Sequence, residues 1–251
     1  MFIVREVQAK SILNKSKIYD YCLNPYTGCQ VGCKYCYARL FMIRYSGHTE
    51  PWGEFVDVKV NAPEVLRKQL VRAKRGTVWV ASVCDPYQPL EAKYRMTRRC
   101  LEELLTSRFP VNIQTKSALV VRDLDLFEKF DDIEVGFTIA TDDERMAKLF
   151  EPHASTVAER LAALSILHSR GVKTFVFLGP LLPGNAERLA ELVADKADRV
   201  LIDRMNYVPT IKKFYAEHGL AEFLEDSFFD TQKDKLIAVL KTHKKSIEAI
   251  Y

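Results

Sequence analysis

Val78-Trp79-Val80-Ala81-Ser82-Val83, followed by Cys84-Asp85-Pro86-Tyr87-Gln88-Pro89-Leu90-Glu91, decides the fold. Its first six residues form a short, nearly continuous apolar run. Such a run suits a strand buried on both faces, the habit of parallel sheets. Outward from it the chain keeps a rhythm. Upstream, Asn61-Ala62-Pro63-Glu64 opens a helix, with Asn61 as its cap and Pro63 in its first turn. Downstream, helical spacing over Met96–Arg108, Arg122–Phe130, Val157–His168 and Asn185–Leu192 alternates with strands at 111–115, 134–139, 173–178 and 199–203. With a first strand near Tyr19–Leu23, the count is six strand–helix units. A full eight-unit barrel takes about 250 residues. Six units in a chain of 251 residues therefore predict an α/β fold: a partial, six-unit parallel β/α barrel over 19–207. Residues 1–18 read as an extended lead-in. Residues 208–251 read as a helical extension, with an amphipathic helix over Lys233–Ile250.

Hydrophobic content of 48% and charged content of 28% are those of a globular protein, and no apolar run approaches the roughly 20 residues of a membrane span. The net charge of +4 permits an anionic substrate without arguing for one. Met1-Phe2-Ile3-Val4-Arg5-Glu6 lacks the apolar stretch of an export signal. The expected location is therefore cytoplasmic, where disulfides do not persist.

The chemistry concentrates in Asn24-Pro25-Tyr26-Thr27-Gly28-Cys29-Gln30-Val31-Gly32-Cys33-Lys34-Tyr35-Cys36-Tyr37. Cys29, Cys33 and Cys36 stand at the spacing Cys-x3-Cys-x2-Cys in a glycine-containing loop. Thiolates are soft ligands that favour iron–sulfur clusters or zinc. Structural zinc takes four ligands in paired hooks. Only Cys33 and Cys36 make such a hook, and neither Cys22 nor His48 has a zinc spacing. Three thiolates on a four-iron cluster leave one iron open, which is the mark of a catalytic centre.

This cysteine spacing, with Tyr35 before the last cysteine, resembles the signature of the radical S-adenosylmethionine (SAM) enzymes. Asp85-Pro86-Tyr87-Gln88-Pro89-Leu90-Glu91, Thr115-Lys116-Ser117, Arg122-Asp123-Leu124-Asp125-Leu126 and Glu151-Pro152 narrow the resemblance to the subgroup related to spore photoproduct lyase. It implies a [4Fe–4S] cluster on Cys29, Cys33 and Cys36, with SAM on the open iron. Reductive cleavage of SAM would then yield a 5′-deoxyadenosyl radical that takes hydrogen from a substrate. It also implies an electron donor such as a flavodoxin or ferredoxin. Around SAM it assigns Tyr35 to the adenine, Ser82 and Asp85 to the ammonium, Lys116 to the carboxylate, and Thr138 and Arg160 to the ribose and carboxylate. Cys84 is the candidate hydrogen-atom donor and Tyr37 the candidate relay. The lyase's own donor cysteine aligns with Ser82, so that role does not transfer directly.

Three functions stay open at this level. One is a radical SAM enzyme on an unidentified substrate, with nucleic acid among the options. Another is a DNA repair lyase of the spore photoproduct type, against which the weak net charge counts. The last is a non-catalytic iron–sulfur or zinc module.

Overall fold

Short apolar runs become strands, and the amphipathic segments between them become helices. In the computed structural model, which describes residues 2–250, the strands are β1 (Ile3–Val7), β2 (Leu13–Lys15), β3 (Tyr21–Leu23), β4 (Tyr26–Thr27), β5 (Phe55–Lys59), β6 (Val78–Val80), β7 (Val111–Thr115), β8 (Ile133–Thr138), β9 (Lys173–Leu178), β10 (Arg199–Ile202) and β11 (Ser246–Ala249). The α-helices are α1 (Arg39–Ser46), α2 (Ala62–Leu70), α3 (Glu91–Tyr94), α4 (Met96–Thr106), α5 (Leu124–Phe127), α6 (Glu144–Phe150), α7 (Val157–Ser169), α8 (Ala186–Ala194), α9 (Val208–Glu217) and α10 (Asp226–Thr242). Met1 and Tyr251, the ends of the expected lead-in and extension, lie outside the described residues.

The main sheet runs β2-β3-β6-β7-β8-β9-β10-β11. From β3 to β11 every pairing is parallel, and β2 closes one edge antiparallel. Its side chains obey the two-residue period of a strand. Val78, Val80, Ile113, Val135, Phe137, Val176, Leu178, Val200 and Ile202 are fully buried on one face. The alternate residues Trp79, Asn112, Gln114, Thr138, Phe175, Phe177 and Leu201 all line one cavity, so that face is concave. A smaller sheet, β1-β5-β4, carries the start of the cysteine loop.

The structure departs from the expected elements at four places. First, β6 stops at Val80, not Val83, because Ala81 adopts φ 65° and turns the chain out of the ladder. Second, the helix expected over Arg122–Phe130 is a 3-10 turn over Ala118–Asp123 running into the short α5. The Ser117 hydroxyl accepts the Leu119 N–H and starts that tighter turn. Third, the C-terminal segment is not wholly helical. Lys244 takes φ 54° after α10, and β11 then adds a seventh parallel strand beside β10. Last, Asn61 does not cap α2. Its amide exchanges hydrogen bonds with the backbone of Ala9, tying the N-terminal segment down. That segment is no free lead-in, since β1 pairs with β5 and β2 with β3. Among the described residues no helix is long and apolar enough to cross a membrane.

Gly136 on β8 lies beneath the Phe175 ring, where a Cβ would sit 2.3 Å from the nearest ring carbon. Gly136→Ala should therefore overpack the cavity wall and lower stability by about 1–3 kcal/mol, read in urea unfolding. A change below about 0.5 kcal/mol would contradict this packing.

Candidate active site

The cysteine loop is held by the protein's own contacts on several sides. Gly28 (φ 87°) presses against β5, where a Cβ would meet the Phe55 carbonyl oxygen at 2.4 Å. The Lys34 N–H donates to the Phe150 carbonyl at 2.8 Å and holds the loop's far arm to α6. Two glutamines lock its centre. The Gln30 N–H donates to Gln88 Oε1 at 2.8 Å, and the Leu90 N–H donates to Gln30 Oε1 at 2.6 Å. Beneath them lies a charged lattice. The Tyr26 hydroxyl donates to Glu91, Glu91 pairs with Arg122 at 2.9 Å, and Arg122 pairs with Asp123 at 2.8 Å. The Tyr87 hydroxyl closes the circuit on Asp123 at 3.0 Å. Sequence segments that looked separate are thus one scaffold.

Asp85 joins that scaffold to the first cysteine. Its N–H donates to Cys29 Sγ at 3.3 Å. Its carboxylate accepts the Thr115 hydroxyl at 2.6 Å and the N–H groups of Lys116 and Tyr87 at 2.7 and 2.9 Å. Those bonds hold the ends of β6 and β7 in register with the loop.

Cys29, Cys33, Cys36, Tyr37, Ser82, Cys84, Asp85, Lys116 and Thr138 all line the concave cavity, of about 380 Å³, at the carboxyl ends of the strands. Tyr35 and Arg160 do not line it. They stand behind its wall, with the Tyr35 hydroxyl donating to Glu151 and Glu151 paired to Arg160. Arg160 also donates to the carbonyls of Ser155 and Thr138, at 2.8 and 2.9 Å, so a cation on a seemingly ordinary helix is 1% exposed. The sequence offered only Glu151-Pro152 as a hint of this pair. Asp203, Asn112, Gln114 and Phe177 were also not singled out, though they line the opposite wall. Strand parity, once the strands are known, is the signal that finds them.

Electrostatics divides the cavity. Burial pushes the Cys29 thiol up to about 12, with Asp85 and Cys36 adding to it. Cys33 and Cys36 are raised chiefly by burial as well. Burial also raises Cys84, with Cys29 next, against the pull of Lys59, so Cys84 stays a protonated thiol. Tyr37 is pushed up to about 12 by burial, then by Cys36 and Cys84. Its hydroxyl donates to the Ser82 carbonyl, and its ring stacks on Tyr207 at 6.3 Å. Burial opposes the Lys116 ammonium, but Cys33, Glu151 and Asp85 outweigh it and keep it charged. No ion pair closes on that ammonium among the described residues. It lies 5.7 Å from the centroid of the Tyr35 ring.

The donor set fits an iron–sulfur centre: three soft thiols around one cavity, with an unpaired cation beside them. Among the described residues no three His, Cys, Asp or Glu side chains are arranged to hold a single metal ion.

Comparison with known proteins agrees with this class of site. The model of the radical SAM superfamily matches residues 23–196, and the chain belongs to that superfamily. An uncharacterized protein of Methanocaldococcus jannaschii is 38% identical over 180 residues, which are 71% of this chain and 67% of that protein. The radical SAM Nalpha-GlyT isomerase of Pseudomonas phage M6 is 24% identical over 162 residues, 64% of this chain and 33% of that enzyme. The chain thus spans between a third and two thirds of the length of these relatives. Among solved structures, a spore photoproduct lyase variant holding dinucleoside spore photoproduct superposes with a TM-score of 0.73 at 16% identity. It covers 99% of this chain and 81% of that one. At that identity the likeness speaks for the fold alone.

Removing Arg160 would strand the Glu151 carboxylate in the interior. Arg160→Met should destabilise the protein by about 3–5 kcal/mol. Adding Glu151→Gln should recover much of that loss, because no buried charge is left unpaired. Denaturant titration of the two variants checks this, and equal destabilisation in both would contradict the buried pair.

Proposed function

We propose that the chain is a radical SAM enzyme in which Cys29, Cys33 and Cys36 hold a [4Fe–4S] cluster. The carrying observation is that the three thiols of one Cys-x3-Cys-x2-Cys loop face a single cavity at the carboxyl ends of parallel strands. Three soft thiols on one loop suit an iron–sulfur centre, whereas structural zinc takes four ligands in paired hooks. When bound and reduced, such a cluster supplies the electron that splits SAM into methionine and a 5′-deoxyadenosyl radical.

The remaining work belongs to the chain's own side chains. We assign Lys116, charged and lining the cavity, to the carboxylate of SAM. The Asp85 carboxylate already accepts three hydrogen bonds, so we assign it mainly to holding Cys29 and the strand ends. Ser82 and Thr138 offer polar atoms on the same wall. We assign Tyr35 and Arg160 to positioning, because they brace the wall from behind through Glu151. Trp79, Phe175 and Phe177 give the cavity the apolar lining that keeps a reactive intermediate from water. All six cysteines are unpaired, which suits a reducing, cytoplasmic setting. The substrate stays unassigned, and the reductant is expected to be a flavodoxin or ferredoxin.

One observation favours a lyase-type second reading, in which hydrogen is returned to a product radical. Cys84 is protonated and shares the cavity with Tyr37.

Anaerobic reconstitution with iron and sulfide, followed by dithionite and SAM, should give 5′-deoxyadenosine. Cys33→Ala should lower the yield at least about a hundredfold. Cys84→Ala should leave uncoupled SAM cleavage within about twofold, because its thiol acts after that step. An intact cluster that forms no deoxyadenosine would overturn the proposal in favour of a non-catalytic iron–sulfur module.

A further inference from the structure

Resting on the reading of this chain as a radical SAM enzyme, we propose that the far half of the cavity binds a cationic nitrogen of the substrate, an ammonium or guanidinium, on the Asp203 carboxylate. The cysteine loop leaves the main sheet after β3, and Asp203 follows β10, with four strands between them. The lysine, arginine and acidic side chains that line the cavity are Asp85, Lys116 and Asp203. Asp85 and Lys116 stand with the thiols. Asp203 sets the sign of the opposite wall.

The two carboxylates differ in what they already hold. Asp85 accepts three hydrogen bonds from its own scaffold. Asp203 accepts Asn206 Nδ2 at 3.0 Å, and no ion pair closes on it among the described residues. Arg204, its neighbour in the chain, is paired with Asp226. Burial pushes the Asp203 carboxyl up, and Arg204 and Asn206 only partly offset that. A cation in the cavity would restore part of the solvation this carboxylate has lost.

Aromatic rings stand beside it. Phe177 pairs in register with Leu201 on β10, which puts Asp203 one step further along the same face. Gly179 lets ring and carboxylate meet. A Cβ there would lie 2.6 Å from the tip of the Phe177 ring and 3.0 Å from the Asp203 Cβ. Phe175 and Trp79 add two more rings to the same cavity. Arg199 lies over the Phe175 ring at 5.3 Å, but it does not line the cavity, and Glu134 and Glu248 pair with it at 2.8 and 3.4 Å. The polar groups of this wall add acceptors. Asn112 donates its Nδ2 to Glu134 at 2.8 Å, and Gln114 donates its Nε2 to Thr138 Oγ1 at 2.9 Å. Among the described residues neither amide oxygen receives a donor. Rings carry negative potential on their faces. Rings, amide oxygens and one carboxylate together select a group that is positive and donates hydrogen bonds, and they repel an anionic one.

Binding of benzylammonium, with benzyl alcohol as its neutral counterpart, tests this on the whole chain with cluster and SAM reconstituted, read by calorimetry. The ammonium should bind about tenfold tighter than the alcohol. Asp203→Asn should erase that difference, weakening the ammonium about tenfold while the alcohol and SAM each stay within about twofold. Phe177→Leu should weaken the ammonium about threefold more than the alcohol, and it carries the test should Asp203→Asn not fold. The proposal is overturned if the alcohol binds as tightly as the ammonium, or if Asp203→Asn leaves the ammonium at its wild-type affinity. It is overturned as well if SAM weakens in parallel, which would place Asp203 on the cofactor, or if a thymidine dinucleotide binds this wall more tightly than the ammonium and does so independently of Asp203. Ammonium binding that depends on Asp203, in a chain that forms no deoxyadenosine with dithionite and SAM, would keep the cation site and bring down the functional reading instead.

Discussion

Asp85 is the joint on which this architecture turns. One residue gives its N–H to Cys29, and its carboxylate gathers the Thr115 hydroxyl and Lys116 N–H from the end of β7 and the Tyr87 N–H from its own loop. A carboxylate held by several hydrogen bonds resists rotation. The parallel sheet positions the strand ends, and Asp85 converts that position into the placement of a thiol. The Gln30-to-Gln88 and Leu90-to-Gln30 hydrogen bonds and the Tyr26–Glu91–Arg122–Asp123–Tyr87 lattice extend the same logic through the loop. A buried lattice of this kind gains strength as its members are satisfied; each charge here has a partner of opposite sign, while among the described residues Gln88 Nε2 is buried without a hydrogen-bond partner.

The cavity has two halves with different physics. One half holds the three cysteines and Lys116, where positive charge and soft donors face each other. The other is built by strand residues of alternating parity, with Trp79, Phe175, Phe177 and Leu201 between the polar groups of Asn112, Gln114 and Asp203. Burial raises the Asp203 carboxyl, against hydrogen bonds from Arg204 and Asn206. An apolar pocket with a few convergent polar groups is the usual form of a small-ligand site. That second half is where a substrate's identity would be read.

Much of this was legible in the residues alone. The apolar run at Val78, the alternation beyond it and the cysteine spacing led to the parallel sheet and to the three thiols on one loop. Periodicity failed where tertiary contacts override local preference. Ala81 and Lys244 take left-handed conformations that glycine normally signals, so the end of β6 and the start of β11 carried no mark. Asn61 has the chemistry of a helix cap, but its amide is claimed by Ala9 across the fold. The resemblance assigns Arg160 to a contact with SAM. Only the packing of α7 against β8 reveals that its guanidinium is buried on Glu151. Sequence spacing reports which residues share an element. It does not report which elements share a charge.

The proposed chemistry requires one iron of a four-iron cluster to lack a protein ligand. Mössbauer spectroscopy of the ⁵⁷Fe-reconstituted protein reads that iron directly. The account predicts that adding SAM shifts one iron in four to a distinct, higher-coordinate signal while the other three keep their thiolate parameters. A spectrum with four equivalent irons that is indifferent to SAM would contradict it.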